Sequence, residues 1–306
     1  MAVIIGLGLL NVAGALLLGP LLEGVVRKYV RAQVAHSRIG PLVGVWQPFY
    51  DLGKLLGKED LEREDFPPFF RAAPLLALAA VLCAALWVPL AGRAPLAGGG
   101  DGLVLVYVLG LATIALILTA MATGSPYAYA GGTREMMLFL VVEPVLVIAL
   151  LCAMVHAHSW RIEDLVNWQL EQGPSLSLIV AAVALLLALP AQFAKLPFDI
   201  PEADQEIMGG PLVELSGPKL ALFKWTVWAR QFVLAGVWVT IFLPWPGGLI
   251  WPLTLLLNLV KIALAFVVVG LIDAVCPRLR VDQALAWYVS VIVVAGIAVV
   301  LAVVAG

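Results

Sequence analysis

Five carboxylates, Asp199, Glu202, Asp204, Glu206 and Glu214, fall within 16 residues of a chain that is otherwise poor in charge. Acids this dense repel one another. Where water is excluded, the repulsion and the lost hydration hold a proton on such a set near neutral pH. The chemistry that suits them is uptake and release of protons. The local sequence predicts a short helix. Asp199 is placed to cap it, with Glu202 three residues on and Pro201 tolerated in the first turn. Gly209-Gly210-Pro211 closes it. Glu202 and Glu206 would then sit at i and i+4 on one face.

Other ionisable groups lie inside strongly apolar runs. Glu143 directly precedes Pro144 in the middle of one run; Lys224 and Arg230 lie in a second, Lys261 and Asp273 in a third. A carboxylate at the centre of a bilayer costs on the order of 2.5–3.5 kcal/mol, so such groups mark functional paths and face a bundle interior. The proline frees a carbonyl one turn earlier and makes a locally polar spot. Lys261 and Asp273 are twelve residues apart, about 18 Å along a helix, and are not a direct pair. The expected proton path runs from residues 199–214 through Glu143 and Lys261, with Lys224 and Asp273 beside it.

Equipment for other chemistry is sparse. Cys83, Cys152 and Cys276 have no cluster-ligand spacing, and Cys83 and Cys152 read as small core residues. His156 and His158 point apart on a helix, so no metal site is expected. There is no phosphate-binding glycine loop. No catalytic residue is assigned.

These groups must be positioned by membrane helices. Of 306 residues, 63% are hydrophobic and 12% charged, with a formal net charge of −2. Soluble domains average about 45–50% and about 25%, and there is no basic field for nucleic acid. The apolar runs lack the period-two alternation of a membrane β-barrel. The expectation is an all-α integral membrane protein, one transmembrane domain over 1–306. Eight spans lie near 3–22, 68–91, 102–123, 135–157, 176–195, 217–243, 250–273 and 283–304. Cytoplasmic loops cover 23–67 and 196–216. The first span reads as retained, not as a cleaved signal. Thirteen Lys and Arg fall in the loops of one side and two, Arg93 and Arg161, on the other. That bias puts the odd loops in the cytoplasm and both termini outside.

The first loop holds a cytoplasmic amphipathic helix near 45–56. Trp46, Phe49, Leu52 and Leu56 lie on its apolar face, with Asp51, Lys54 and Lys58 elsewhere. It is followed by the acids Glu59, Asp60, Glu62, Glu64 and Asp65. With its basic residues, this loop reads as a docking surface for a soluble partner.

At these residues the sequence resembles a known family: the eight-helix membrane subunit shared by respiratory complex I (where it forms the quinone site) and the membrane-bound, energy-converting [NiFe] hydrogenases, formate hydrogenlyase included. The strongest block is Pro197-Phe-Asp-Ile-Pro-Glu-Ala-Asp-Gln-Glu206 followed by Glu214-Leu-Ser-Gly217. Others are Arg38-Ile-Gly40-Pro41 with Gln47, Asp51 and Lys54; Arg134-Glu135-Met-Met leading to Glu143; and Asp282-Gln283. The blocks around Gly209–Glu214 and Glu143-Pro144 are similar to the hydrogenase branch. Gln192-Phe-Ala-Lys195 and Leu215 depart from the complex I branch, which counts against a quinone headgroup site. The resemblance implies that partner subunits carry the [NiFe] and iron–sulfur centres and that this chain binds none. The implied partners are the hydrogenase large and small subunits, an iron–sulfur subunit and antiporter-like membrane subunits. Arg38, Gly40, Pro41, Gln47, Asp51, Lys54 and Arg134 would form the docking surface, in the inner membrane of a prokaryote. Two rivals stand beside this reading. One is the quinone-site subunit of an NADH-quinone oxidoreductase. The other is a stand-alone secondary transporter, against which counts the lack of a broken-helix counterpart to 197–218 in the first half.

Overall fold

The computed structural model describes residues 2–31, 43–61, 66–96 and 101–305, apart from the side chains of Ala2, Val3, Arg31, Val43, Asp204, Gln205 and Ala305. Lipid leaves no water to satisfy free backbone groups, so apolar runs of this length close their own hydrogen bonds as helices. The helices are α1 (Ala2–Val25, continued by a π-turn Val26–Arg31), α2 (Val43–Leu56), α3 (Pro68–Ala85), α4 (Asp101–Ala122), α5 (Pro126–Ala157), α6 (Ile162–Gln172), α7 (Leu176–Gln192), the single turn α8 (Asp204–Ile207), α9 (Gly217–Phe242), α10 (Trp251–Val275) and α11 (Val281–Ala305). Seven of the described helices are long and apolar enough to cross a membrane. Helix α7, with 17 residues, is a shorter apolar eighth at the expected position.

Helix α9 is the centre of the bundle and touches α1, α2, α3, α7 and α10. Its indoles tie it to neighbours. Trp225 Nε1 donates to Leu16 O at 2.9 Å, and Trp238 Nε1 to Ala182 O at 2.9 Å. Each satisfies a donor that lipid could not. Helices α5, α7 and α11 pack on one another. Tyr288, fully buried on α11, packs its ring at a tilt against Phe198, centroids 4.7 Å apart, and so touches the acidic segment.

The structure departs from the sequence expectation in several places. The second span ends at Ala85, not near 91, and a buried irregular chain follows. Two buried amides make this possible: Asn11 Nδ2 donates to Ala85 O and Val88 O (3.0 and 2.7 Å), and Asn258 Nδ2 to Leu90 O (2.9 Å). Non-helical backbone persists in a membrane only where protein satisfies it in this way. Helix α5 starts at Pro126, nine residues before the expected span, so Arg134 is helical and not in a loop. Helix α6 was not expected at all. The buried face of α2 is Gly44, Pro48 and Leu52, whereas Trp46 and Leu56 are exposed. The close approach of α1 decides this register: a Cβ on Gly24 would run into the backbone of Val45. Cys83 is exposed on α3, not in the core; Cys152 is buried.

Candidate proton path

The acidic segment is fixed from every side. Lys195 Nζ pairs with Glu23 at 2.5 Å in a buried contact, and Leu196 N donates to Asp273 Oδ1 at 3.1 Å. Leu279 N donates to Pro197 O at 3.0 Å, and Arg278 pairs with Asp199 at 2.9 Å. Arg134 on α5 pairs with Glu206 at 2.6 Å. Below it, α5 presses against the end of the segment: a Cβ on Gly131 would lie 2.6 Å from Gly210 Cα. Gly210 has φ +53° and abuts Pro201 O, so only glycine fits there.

This anchoring replaces the expected helix. Residues 197–203 form turns, and the helix is the single turn Asp204–Ile207. Glu202 and Glu206 therefore do not share a helical face. They point to opposite surroundings. Glu206 is exposed, and the hydrogen bond and charge of Arg134 lower its pKa. Glu202 is half-buried and pushed up to about 7, first by burial, then by Asp199 and Glu135, against the opposing charges of Lys224 and Lys195. Glu214 is exposed. The side chain of Asp204 and residues Arg38, Gly40 and Pro41 lie outside the described residues, as do His36 and the acids Glu62, Glu64 and Asp65.

Inward from Glu202 the polar groups continue. A cavity of about 40 Å³ is lined by Glu202, Glu135, Thr113, Gln192 and Arg230. A second, of about 20 Å³, shares Glu135, Thr113, Gln192 and Arg230 and adds Glu143. Beyond Glu135, Arg230 Nη2 donates to Gln192 Oε1 at 2.6 Å, and Gln192 Nε2 donates to Glu143 Oε2 at 3.2 Å. The Arg230 guanidinium itself is 3.7 Å from Glu143. A permanent cation thus compensates the carboxylate that looked partnerless within its own helix. Glu143 Oε1, Thr113 Oγ1 and Arg230 Nε face this region without a protein partner among the described residues. A space of roughly 10–15 Å³ admits one water, so the two cavities accept one to a few, each with several polar neighbours. On α4, Gly110 lies beside this carboxylate: a Cβ there would be in ordinary contact with Oε1, at 3.6 Å.

Three helices, α5, α7 and α9, and the acidic loop therefore bring together Glu202, Glu135, Arg230, Gln192 and Glu143. Lys224 faces Glu202 electrostatically. Asp273 belongs to the anchoring of the segment. Lys261 is elsewhere: its ammonium donates to Leu243 O (2.7 Å) and Trp245 O (2.6 Å), closing the far end of α9. Along α9, Leu243 lies 13 residues from Arg230, about 20 Å. Glu135, Gln192 and Thr113, which line these cavities, were not among the sequence candidates. Glu135 had a signal, since it lies two turns before Glu143 on the same helix. Gln192 and Thr113 had none.

The remaining site candidates have ordinary partners. His156 Nε2 lies 2.5 Å from Ser177 Oγ, with its ring stacked on Trp168 at 4.8 Å. Gln47 Nε2 donates to Asp51 Oδ1 at 2.9 Å, and Arg27 is 3.7 Å from Asp51, while Lys54 is exposed. Lys219 reaches Asp60 at 2.7 Å and joins α9 to the first loop.

The family profile described as NADH dehydrogenase matches residues 6–304, almost the whole chain. The chain belongs to the NADH dehydrogenase family. Within that family it is 36% identical over 273 residues to hydrogenase-4 component C of Escherichia coli, covering 87% of this chain and 85% of the relative. It is 34% identical over 275 residues to formate hydrogenlyase subunit 4 of the same organism, covering 86% and 87%. NADH-quinone oxidoreductase subunit 8 of Thermus thermophilus is 32% identical over 268 residues, covering 83% and 72%. A chain in the structure of the membrane-bound sulfane sulfur reductase, an archaeal respiratory membrane complex, superposes with a TM-score of 0.87 at 28% identity, covering 98% of this chain and 99% of that one. All are membrane subunits of multisubunit oxidoreductase complexes.

Proposed function

We propose that this chain is the membrane anchor and ion-coupling subunit of a membrane-bound [NiFe] hydrogenase complex. It would link electron transfer in soluble subunits to translocation of protons or sodium ions. The observation that carries the reading is the line Glu202, Glu135, Arg230, Gln192, Glu143, which leads from a fixed acidic surface segment into the membrane without redox equipment of its own. The relatives named for hydrogenase-4 and formate hydrogenlyase support the branch. So do Gln192 and Lys195, which are engaged with Glu143 and Glu23.

In this mechanism, a partner subunit docked on residues 199–214 would supply the redox chemistry, and negative charge gained there would be felt at Glu202. A carboxyl with its pKa near 7 answers such a charge by taking up a proton. The proton passes by way of Glu135 and intervening waters to Glu143. Arg230 offsets the charge of Glu143 until the proton arrives. Antiporter-like membrane subunits would complete the translocation. The exposed Lys54, the residues 38–41, Gln47, Asp51 and Arg134 are proposed to flank the docking surface. The acidic face lies in the cytoplasm and both termini outside, in a prokaryotic inner membrane.

Purification in mild detergent tests the assignment. The expected partner is a large subunit with two C-x-x-C pairs able to hold nickel, together with iron–sulfur subunits. Co-purification of NADH-oxidising subunits, with activity that depends on quinone and is blocked by quinone-site inhibitors, would overturn it. So would solute uptake by this chain alone.

A further inference from the structure

A wide cavity lies far from the proton path, at the face opposite the acidic segment. Its volume is about 750 Å³, within the roughly 300–1,000 Å³ of small-molecule sites. It exists because α1 and α10 diverge. The two helices meet near the acidic face, where Val26 packs on Gly270. Toward the other face Leu7 and Leu10 of α1 stand across the cavity from Trp251 and Thr254 of α10. Their outward neighbours Leu9, Ile250 and Leu253 are exposed, as side chains in lipid are. The pit therefore sits between two helices that border the bilayer.

Its depth is apolar in effect. Asn258, two turns below Trp251 and so about 10 Å deep, donates its amide to Leu90 O. The Thr240 hydroxyl donates to Gly236 O, and the Thr254 hydroxyl to backbone carbonyls of residues 249 and 250. Arg93 stands at the lining, exposed, with no acid at ion-pair distance among the described residues. The neighbouring acid, Glu163, accepts a hydrogen bond from Ala94 N at 3.0 Å.

We propose that this pit is a phospholipid site: acyl chain in the cleft between α1 and α10, phosphodiester on the Arg93 guanidinium. The charge at the mouth selects the occupant. A guanidinium matches phosphate oxygens with two parallel donors. An apolar peptide helix would leave that cation unanswered.

The test uses the intact complex, purified in mild detergent, in wild-type, Arg93→Gln and Gly6→Phe forms. Gly6 lines the pit, and a Cβ there meets nothing within 4 Å, so the ring enters the cleft without disturbing α1. Native mass spectrometry counts retained phospholipid, and add-back of phosphatidylglycerol measures its affinity. The expected result is one phospholipid more on the wild type than on Gly6→Phe, and affinity lowered about tenfold or more in Arg93→Gln. Equal retention by all three forms would overturn the proposal. An affinity unchanged by Arg93→Gln would overturn it too, because the phosphate contact would be wrong. A Thr254→Cys form that cross-links to another subunit, and not to a photoactivatable phospholipid, would assign the cleft to a protein partner instead.

Discussion

Glu202→Gln removes an acid of the surface segment whose pKa is pushed up to about 7. With a pKa near 7, about a tenth of Glu202 is ionised at pH 6, half at pH 7 and about nine-tenths at pH 8. The rise from 4.5 means that the folded protein holds a proton that the unfolded chain has lost, over the window from 4.5 to about 7. Stability therefore declines as pH climbs through that window and levels off above it. The penalty is on the order of 1–3 kcal/mol, since each unit is worth about 1.4 kcal/mol and water in the adjoining cavity screens part of it. Glutamine cannot ionise, so Glu202→Gln should gain on the wild type above pH 7 and match it near pH 4.5. Infrared difference titration of the purified complex from pH 5 to 9 checks the cause. The wild type should lose a protonated-carboxyl band with a midpoint near 7, and Glu202→Gln should lack that component. Glu214→Gln, altered at an exposed acid, should keep it. An unchanged band in Glu202→Gln would refute the reasoning, because the proton would then sit on another group.

Other expectations test the scaffold. Asn11→Leu leaves Ala85 O and Val88 O without their donor and should cost about 1–3 kcal/mol, read as a lower thermal midpoint of the complex. Lys261→Met should likewise destabilise, by about 2–4 kcal/mol, through loss of two charged hydrogen bonds to Leu243 O and Trp245 O. If Lys261→Met instead kept full stability and lost only ion translocation, its capping role would be wrong. Gly131→Leu should push the acidic segment off α5, since Gly210 and Pro211 leave no room for a side chain. Weakened co-purification of soluble subunits is the expected readout, and unaltered assembly would count against a fixed segment.

The spans could be read from sequence because lipid imposes a length and a composition on them, and the eight helices follow those runs. Their ends could not. Span 2 stops at Ala85 because Asn11 and Asn258, from distant helices, supply the donors for an unwound chain. Nothing within residues 68–91 announces that. The acidic segment was visible as chemistry, but its shape was not. A capping pattern favours a helix locally, and Arg278, Asp273 and Arg134 override it with tertiary bonds. Glu143 was recognisable by the cost of a carboxylate in lipid. Its partners were hidden, because Arg230 and Gln192 come from two other helices and only packing brings them within reach. Lys261 shows the opposite case: an intramembrane charge that marks a function by default here meets the carbonyls at a helix end.

The central claim is that charge crosses into the membrane through Glu143. The most direct measurement is ion translocation by the complex in sealed vesicles, taken beside dye-linked hydrogenase activity, for wild type and Glu143→Gln. Glutamine keeps the size of the side chain and can still bond to Gln192, but it carries no proton. The account predicts an assembled complex with intact dye-linked activity and translocation reduced at least tenfold. Normal translocation in Glu143→Gln would contradict it.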